Sequence, residues 1–316
     1  MARGCRVLVT GGAGFIGRWV VKELLDSGHE VLVLDNLSNG SRANIEEFEG
    51  LNGFHGLVEG DVQNRPVAQD AFAFQPDCCI HLAAQVNVQE SLDHPDKTFQ
   101  SDVLGTFILL ECARKLGTRF VFVSTCMVYG MAIGNSAIDE DHPVNPASPY
   151  AAAKLAGEFM SISYYHSYGL QTTVLRPFNT YGPFQKSSGE GGVVSIFIGN
   201  KLKGKPLTIY GDGTQTRDFL FVKDCARFIT MAACEDRVLG KAVNAGSGED
   251  ISITDLAGII SEGDIPVEHV PHIHPQSEIM VLRCDNSRSK ELLGWAPEVE
   301  LSEGIEQTGR WLAEND

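Results

Sequence analysis

Short apolar runs alternate with longer amphipathic segments through roughly the first 180 residues of the chain. The apolar runs predict β-strands, and in the segments between them apolar residues recur at helical spacing. Because strands that alternate with helices form a parallel sheet covered on both faces, the pattern predicts an α/β fold with a doubly wound sheet. The predicted strands are Arg6–Thr10, Glu30–Leu34, Gly56–Glu59, Cys78–Leu82, Phe120–Ser124 and Thr172–Arg176.

The rhythm changes in the second half of the chain, where proline and glycine become frequent and the apolar runs shorten. We therefore predict two domains, a sheet-forming domain over residues 1–180 and a smaller α/β lobe over residues 181–316. The short strands predicted in this lobe are Leu207–Tyr210 and Phe219–Val222. Segments 222–234 and 242–244 have the pattern of elements that return to the main sheet, so the two domains are predicted to interleave.

The composition is ordinary for a folded protein, with 43% hydrophobic and 21% charged residues. The formal net charge of −16 argues against partners such as duplex nucleic acid or an anionic membrane, because both would be repelled. No apolar run approaches the ~20 residues that span a bilayer, and the first strand begins too early for a signal peptide. The eight cysteines include no CxxC pair and are predicted to be reduced, which favours a cytoplasmic protein.

Three histidines, His269, His272 and His274, lie close together near two prolines. No cysteine or acidic residue accompanies them at the spacing that a metal site requires. They are therefore interpreted as surface loop residues, and no metal is predicted.

Glycines recur at every third position where the first predicted strand meets the first predicted helix. Gly11, Gly14 and Gly17 allow a tight turn, close approach of a pyrophosphate and close packing of the helix on the sheet. Unpaired N–H groups of the first helical turn then face the phosphates. Asp35 lies eighteen residues after Gly17, at the end of the second strand, where a carboxylate binds ribose hydroxyls and repels a 2′-phosphate. The segment therefore predicts a Rossmann-type site that prefers NAD to NADP.

Tyr150 and Lys154 lie four residues apart at the start of a predicted helix, which places both side chains on one face. A free tyrosine has a pKa near ~10 and is a weak base at neutral pH. An ammonium beside it and the positive charge of a bound nicotinamide both stabilise its phenolate. The pair is therefore predicted to move a proton beside a hydride acceptor. Thr125 follows the fifth predicted strand and is expected to hydrogen-bond the same substrate alcohol.

Longer segments surround these residues from one end of the chain to the other. They are TGGAGFIG (10–17), DNLSNG (35–40), GDV (60–62), HLAAQ (81–85), STCMVYG (124–130), SPYAAAK (148–154), RPFNTYGP (176–183), YGDGTQTRDF (210–219) and NSRSKELLGW (286–295). Together they resemble the extended short-chain dehydrogenase/reductase family, in its nucleotide-sugar epimerase and dehydratase branch. The chain departs from the family's usual residues at Asp102, where asparagine is common, and at Phe184, where arginine is usual.

The resemblance implies which residues hold NAD and a nucleotide-sugar. The implied cofactor-binding residues are Gly11, Gly14, Phe15, Ile16, Gly17, Asp35, Asn36, Asn39, Gly40, Asp61, Val62, Leu82, Ala83, Ala84, Gln85, Ser124, Tyr150, Lys154 and Pro177. The implied substrate-binding residues are Gln85, Thr125, Cys126, Met127, Asn179, Gly192, Val193, Leu207, Ile209, Tyr210, Arg217 and Arg283. Thr125, Tyr150 and Lys154 are the implied catalytic residues. Tyr150 would take the proton of the sugar 4-hydroxyl while hydride passes from C4 to NAD.

The two residues after Thr125 distinguish the reactions of this branch. Dehydratases usually carry Asp-Glu there to remove water across C5 and C6, and nucleotide-sugar decarboxylases keep the Glu, whereas this chain has Cys126 and Met127. Neither side chain matches a carboxylate as a proton shuttle. The resemblance therefore favours a 4-epimerase that acts through a transient 4-keto sugar, with a UDP-sugar expected by family frequency. A dehydratase or a decarboxylase is the alternative. A non-catalytic NAD sensor is disfavoured because it would gain nothing from an intact proton shuttle.

Two helical segments, 94–117 and 148–169, each carry an apolar stripe. The stripe residues are Phe107, Leu110, Leu116, Phe159 and Ile162. One face of each segment must cover the sheet, and in the family the other face pairs with the same helices of a second subunit. The resemblance therefore implies a homodimer, although the sequence alone does not separate the two faces.

Overall fold

The computed structural model of this protein describes residues 4–132, 136–189, 192–271 and 279–315. Its strands form at short apolar runs of the sequence. They are β1 (Arg6–Thr10), β2 (Glu30–Asp35), β3 (Phe54–Glu59), β4 (Cys78–His81), β5 (Arg119–Val123), β6 (Thr172–Pro177), β7 (Asn179–Tyr181), β8 (Leu207–Tyr210), β9 (Thr216–Arg217), β10 (Phe219–Phe221), β11 (Ala242–Ala245), β12 (Ile251–Ser252), β13 (Val267–Val270) and β14 (Val281–Leu282).

The helices fill most of the segments between these strands. They are α1 (Phe15–Asp26), α2 (Arg65–Phe72), α3 (Val88–Asp93), α4 (Pro95–Thr98), α5 (Gly105–Leu116), α6 (Pro149–Tyr168), α7 (Val193–Leu202), α8 (Val222–Cys234), α9 (Ile253–Ser261), α10 (Ser287–Leu293) and α11 (Leu301–Asn315). A π-helical stretch, Phe99–Leu104, joins α4 to α5. In the parts of the chain that the structure describes, no helix is both long and apolar enough to cross a membrane.

Seven strands form the main sheet in the order β11-β6-β5-β4-β1-β2-β3, and all neighbouring pairs are parallel. Helices cover both faces of the sheet, so the predicted doubly wound, Rossmann-type α/β fold is confirmed. The six strands predicted in the first half of the chain match β1 to β6 within two residues at either end. The strand order reverses between β1 and β4, and such a reversal opens a crevice at the carboxyl ends of the strands.

Each face of the main sheet has its own buried apolar core. One core joins α1 to α8 over the sheet and includes Val9, Val20 and Trp295. The other lies beneath α2, α5 and α6 and includes Leu8 and Phe122. Burial of apolar surface at about 25 cal/mol per Å² is the main favourable contribution to such a fold. Because α8 and β11 come from residues beyond 220, the main sheet and its covering layer draw on both halves of the chain.

The remaining strands form small sheets beside the carboxyl edge of the main sheet. β13 pairs with β8, β10 pairs with β7, and β9 lies between β12 and β14. Their core packs against α7, α9 and α11 and contains Tyr181, Phe197, Phe221 and Leu256. This arrangement places loops from the second half of the chain opposite the phosphate-binding turn. The division at residue 180 stays a prediction.

Candidate active site

A cavity of about 1300 Å³ opens at the carboxyl ends of the main-sheet strands. One wall comes from the loops after β1, β2, β4 and β5, and the other from the loops around β7 and β8. The predicted site residues that line it are Gly11, Gly14, Phe15, Ile16, Gly17, Asp35, Asn36, Asn39, Gly40, Asp61, Val62, Leu82, Ala83, Ala84, Gln85, Ser124, Thr125, Cys126, Met127, Tyr150, Lys154, Pro177, Asn179, Gly192, Val193, Ile209, Tyr210 and Arg217.

The glycine-rich turn leaves backbone N–H groups facing the cavity. Gly11 has a φ of 73°, which glycine adopts without strain. A Cβ on Gly11 would lie 2.7 Å from the backbone nitrogen of Ala83, and a Cβ on Gly17 would overlap the carbonyl oxygen of Gly11. Gly14 is the N-cap of α1 and supplies no side-chain cap. The first amides of α1 therefore stay available to an anionic ligand such as a pyrophosphate.

The carboxylate of Asp35 is fixed at the end of β2. Its Oδ2 accepts a hydrogen bond from the N–H of Ala13 at 3.0 Å, and its Oδ1 accepts one from the N–H of Leu37 at 2.9 Å. Burial raises the pKa of Asp35, and the two backbone N–H groups oppose that rise. Nearby, Asn36 Nδ2 donates to Asp61 Oδ2 at 2.8 Å. The Asp35 side of the cavity suits a nucleotide with free ribose hydroxyls, and the glycine-rich turn suits a pyrophosphate. The two features together fit NAD.

The start of α6 brings Tyr150 and Lys154 to the cavity. The Ser148 side chain accepts a hydrogen bond from the N–H of Ala151 at 3.2 Å, which caps the helix, and Pro149 follows at a position that favours helix initiation. Tyr150 lies next to the side chain of Thr125, which follows β5. Lys154 lies one turn further along α6, and its Nζ is 4.6 Å from the centre of the Phe122 ring. The structure thus brings the three predicted catalytic residues together.

Burial sets the protonation states of this group. It raises the pKa of Tyr150, and the charge of Asp102 raises it further, while the neighbouring Thr125 hydroxyl lowers it. Burial lowers the pKa of Lys154, and the charges of Asp102 and Glu158 oppose that change. Without a positively charged cofactor, Tyr150 therefore stays a phenol. A cation placed beside it would lower its pKa and allow it to accept a proton.

Asp102 lies on the π-helical stretch and is almost fully buried. Its Oδ1 accepts a hydrogen bond from the N–H of Gln85 at 2.7 Å, whereas its Oδ2 is buried and has no hydrogen-bond partner among the described residues. Burial raises the pKa of Asp102, and the charge of Lys154 lowers it. Neighbouring His81 is neutral, because burial lowers its pKa to about 3. Asp102 therefore supports the cavity wall at Gln85 from behind.

A buried ion pair connects α6 to the ends of β5 and β6. Arg176 forms two hydrogen bonds with Glu158, at 2.9 and 2.6 Å. Glu158 also accepts a hydrogen bond from Ser124 Oγ at 2.5 Å, and Arg176 donates to the Tyr129 hydroxyl at 2.8 Å. The Ser124 hydroxyl predicted to bind the cofactor is thus engaged by Glu158. The pair fixes the helix that carries Tyr150 relative to the strand that carries Thr125.

The two residues after Thr125 form a largely apolar surface next to the phenol. Cys126 is buried, and burial raises the pKa of its thiol to about 12. The N–H of Met127 donates to Thr125 Oγ1 at 3.2 Å. A thiol that stays protonated at neutral pH and a thioether provide no proton shuttle here.

Two predicted substrate residues, Leu207 and Arg283, are not among the residues that line the cavity, and their roles stay predictions. Leu207 begins β8 and is fully buried in the core between β8, α7 and α9, where an apolar side chain is most stable. Arg283 NH1 lies 3.9 Å from Asp250 Oδ1, and the Arg283 carbonyl accepts a hydrogen bond from the N–H of Ile138. Both positions were implied by family resemblance, which does not report the local direction of a side chain.

The predicted histidine cluster is only partly described. His269 lies in β13 rather than in a loop, and its Nδ1 is 2.9 Å from the Gly211 carbonyl oxygen. His272 and His274 lie outside the described residues. Within the ranges given above, no group of three or more His, Cys, Asp or Glu side chains is arranged to hold a metal ion. No disulfide joins the eight cysteines, all of which the structure describes.

The cavity also has lining residues that the sequence reasoning missed. Lys186 and Gln185 follow β7, and Trp311 comes from the last helix. Phe184 was identified only as a departure from the family and proves to be part of the wall. Lys186 could have been found as a cation next to the RPFNTYGP segment. Trp311 carried no local signal, because its position depends on how α11 packs.

Comparison with known proteins identifies the family. Residues 7–246 match the NAD dependent epimerase/dehydratase family. The chain belongs to this family. It is 40% identical to a UDP-glucose 4-epimerase of Mycolicibacterium smegmatis over 309 residues, which cover 96% of this chain and 97% of that protein. It is 33% identical to a dTDP-glucose 4,6-dehydratase of Streptomyces niveus, over 98% of this chain and 93% of that protein.

The solved structure of Pal from Bacillus thuringiensis is also similar to this chain. It has a TM-score of 0.96 and 50% sequence identity, over 98% of this chain and 100% of that chain. The family combines epimerases with dehydratases that act on nucleotide-sugars, and its members depend on NAD. NAD bound in this cavity would supply a hydride acceptor and a positive charge beside Tyr150. The predicted cofactor is therefore confirmed at the level of the family.

Proposed function

We propose that this protein is an NAD-dependent nucleotide-sugar 4-epimerase that acts on a UDP-sugar. The observation that carries the proposal is that Thr125, Tyr150 and Lys154 lie together on the cavity wall, next to Cys126 and Met127 where a lyase would carry carboxylates. The first group suits oxidation of a sugar alcohol to a ketone. Cys126 and Met127 provide no carboxylate to catalyse the loss of water or carbon dioxide.

The proposed reaction uses the side chains in two symmetric half-reactions. Thr125 hydrogen-bonds and orients the 4-hydroxyl, and Tyr150 accepts its proton as the C4 hydrogen leaves as hydride. Lys154 stabilises the phenolate through its positive charge. The 4-keto sugar then rotates in the cavity and presents its opposite face. The hydride returns to that face of C4, and Tyr150 gives its proton back. No net oxidation occurs, and the product is an isomer of the substrate.

The nucleotide part of the substrate is proposed to lie against β7, β8 and β9. Arg217 lines the cavity there, and its NH1 donates to the carbonyl oxygens of Thr216 and Ile279, both at 2.7 Å. A guanidinium held in place by backbone carbonyls suits a diphosphate. Asn179 Nδ2 donates to the Asp218 carbonyl oxygen at 3.3 Å and lies on the same wall. Uridine is proposed as the base because the Mycolicibacterium smegmatis relative is a UDP-glucose 4-epimerase.

The decisive experiment incubates the purified protein with UDP-, dTDP- and GDP-sugars in D₂O and follows the products by NMR and mass spectrometry. A 4-epimerase returns the same hydride that it removed, so the product is inverted at C4, has unchanged mass and carries no solvent deuterium. A lyase gives a product lighter by water or carbon dioxide. Inversion at C3 or C5 with deuterium uptake would also contradict the proposal, because it requires proton exchange next to the ketone. No product from any sugar would favour an NAD sensor.

The protein is also proposed to act as a homodimer through α5 and α6. These helices pack against each other. Leu110 is buried against the main sheet, whereas Phe107 is 37% exposed and Phe159 is 61% exposed. The structure thus separates the two faces that the sequence left unresolved, and the outer face is apolar enough to join a second copy. Sedimentation at micromolar concentration should give twice the monomer mass, and Phe159→Glu should reduce it to the monomer value.

A further inference from the structure

One hydrogen bond joins the two walls of the cavity at its cofactor end. Lys186 Nζ donates to Asn39 Oδ1 at 2.6 Å. Asn39 lies in the loop after β2, close to the glycine-rich turn, and Lys186 lies in the loop after β7. The two residues are 147 positions apart in the chain, and both line the cavity. The contact therefore connects the phosphate-binding side of the molecule to the opposite wall.

The loop that carries Lys186 is held by its own hydrogen bonds. Gln185 N–H donates to the Gly182 carbonyl oxygen at 3.2 Å, and its Nε2 donates to the Thr180 carbonyl oxygen at 3.1 Å. Ser195 Oγ on α7 donates to Gln185 Oε1 at 2.7 Å. These bonds anchor the residue next to Lys186 on both sides, so the ammonium is presented to the cavity by an ordered loop.

Phe184 attaches the same loop to the main-sheet half of the molecule. Its φ of 73° is unusual for a residue other than glycine, and such strain persists only where the surroundings enforce it. Its ring centre lies 5.9 Å from Trp19 and 4.8 Å from Trp311, and the Arg18 guanidinium lies 3.9 Å from it. Trp19 Nε1 also donates to the Pro183 carbonyl oxygen at 3.1 Å. The loop is therefore fastened to α1, the helix that begins at the phosphate-binding turn.

The charge of Lys186 lies on the cavity wall beside the loop that packs on the phosphate-binding turn. Its partner Asn39 is neutral, so this hydrogen bond does not cancel the charge. Gly40, the next residue, packs so closely on the phosphate-binding turn that a Cβ would lie 2.6 Å from the Ala13 carbonyl oxygen. In a protein with a formal net charge of −16, a cation at this place offsets the repulsion that a diphosphate would meet.

We propose that Lys186 and Asn39 form a latch across the cavity that keeps the dinucleotide bound between turnovers. The ammonium would attract the diphosphate and, through Asn39, hold the loop after β2 against it. Closing the cavity at this point slows cofactor release without contact to the reacting sugar. The proposal rests on the NAD dependence of the family and not on which sugar reaction follows, so its failure is separable from failure of the 4-epimerase proposal.

The test measures the rate at which bound NAD leaves the holoprotein. The protein is loaded with radiolabelled NAD and chased with excess unlabelled NAD, and the label that stays bound is followed with time. Lys186→Met should release NAD about tenfold faster, the loss expected for one charged hydrogen bond. Lys201→Met is the matched control, since Lys201 on α7 lies away from the cavity lining and pairs with Glu262, which follows α9, at 3.1 Å. It should release NAD at the original rate.

Two further measurements of NAD release test the latch. Asn39→Ala keeps the cation but removes its partner, and it should accelerate release by a smaller factor than Lys186→Met. Raising NaCl from about 0.05 to about 0.5 M should accelerate release from the unmodified protein and leave Lys186→Met nearly unchanged, because salt screens the lysine charge. Equal release rates for Lys186→Met and Lys201→Met would overturn the latch. A salt effect that persists undiminished in Lys186→Met would overturn it as well.

Discussion

The two ends of the cavity differ in whether backbone or side-chain groups form the wall. At the cofactor end the wall is mainly backbone: the amides after Gly14, the absent side chains of Gly11 and Gly17, and one fixed carboxylate, Asp35. At the end proposed to hold the sugar, here called the sugar end, the wall is made of side chains, with the phenol of Tyr150 beside the protonated thiol of Cys126. In the proposed enzyme, cofactor binding therefore depends on the path of the chain, whereas the choice of reaction depends on a few functional groups. We therefore expect the cofactor end to be sensitive to added side-chain volume, and the sugar end to be sensitive to replacement of its functional groups.

Removing the phenolic oxygen should have the largest effect on turnover. Tyr150→Phe keeps the ring and loses the proton acceptor, so kcat should fall by about 10²–10⁴-fold, while NAD stays bound. Steady-state kinetics and the NAD content of the purified protein are measured together. Tyr168→Phe, on the exposed end of the same helix, is the control and should keep its activity. Equal activities of the two variants would mean that another group moves the proton.

Adding one methyl group at the glycine-rich turn should weaken NAD binding and destabilise the fold. Gly17→Ala places a Cβ against the Gly11 carbonyl and should destabilise the protein by about 1–3 kcal/mol, with loss of bound NAD. Thermal unfolding and NAD absorbance report the two effects. Gly258→Ala meets no atom within 4 Å and lies in α9, so it should stabilise the protein by about 0.5–1 kcal/mol. If Gly17→Ala keeps its NAD, the close packing at this turn is not what binds the cofactor.

Neutralising Asp102 should shift the pH profile and not abolish turnover. The Asp102 charge raises the pKa values of both Tyr150 and Lys154. In Asp102→Asn the phenolate therefore forms at lower pH, and the Lys154 ammonium is also lost at lower pH. Both limbs of the kcat/KM profile should move to the acid side by about one pH unit. Asp26→Asn, an exposed carboxylate paired with Lys22, should leave the profile in place, and a shift toward alkaline pH would contradict the assignment.

The smallest effect is expected at Met127. If this side chain only packs beside the catalytic group, Met127→Leu should change kcat less than about threefold, since a swap of similar volume is well tolerated. Met231→Leu, a partly buried core position, gives the matched packing control. A large loss confined to Met127→Leu would show that the thioether takes part in the reaction. The sugar end would then be more specialised than its apolar character indicates.

The sequence predicted the main sheet well because its strands depend on local patterns, and the glycine-rich turn of the predicted cofactor site is local in the same way. β1 to β6 are apolar runs of ordinary length, and the glycine turn needs only its neighbouring strand and helix. The helix types in the region before Leu116 were harder to predict from the sequence. α4, a π-helical stretch and α5 follow one another there, and apolar spacing does not distinguish these helix types over a few residues. Short-range patterns thus carry most of the information about the main sheet.

The opposite wall of the cavity depends on tertiary packing and was predicted less well. Leu207 and Arg283 were expected at the substrate but are not among the residues that line the cavity, whereas Lys186 and Trp311 line it without having been predicted. Lys186 is close to Asn39 only because the loop after β7 folds back over α1. No spacing in the chain reports such a contact between residues 147 positions apart.

The pairing of β11 with β6 has a consequence for how the protein is made. β6 ends at Pro177, whereas its outer neighbour begins at Ala242. On a ribosome that adds about 5–20 residues per second, the backbone edge of β6 therefore stays unpaired for several seconds. During that interval α8 and Trp295, which cover one face of the sheet, are also unmade or only partly made. An unpaired strand edge attracts other strands, so this interval is when a nascent chain most needs a chaperone.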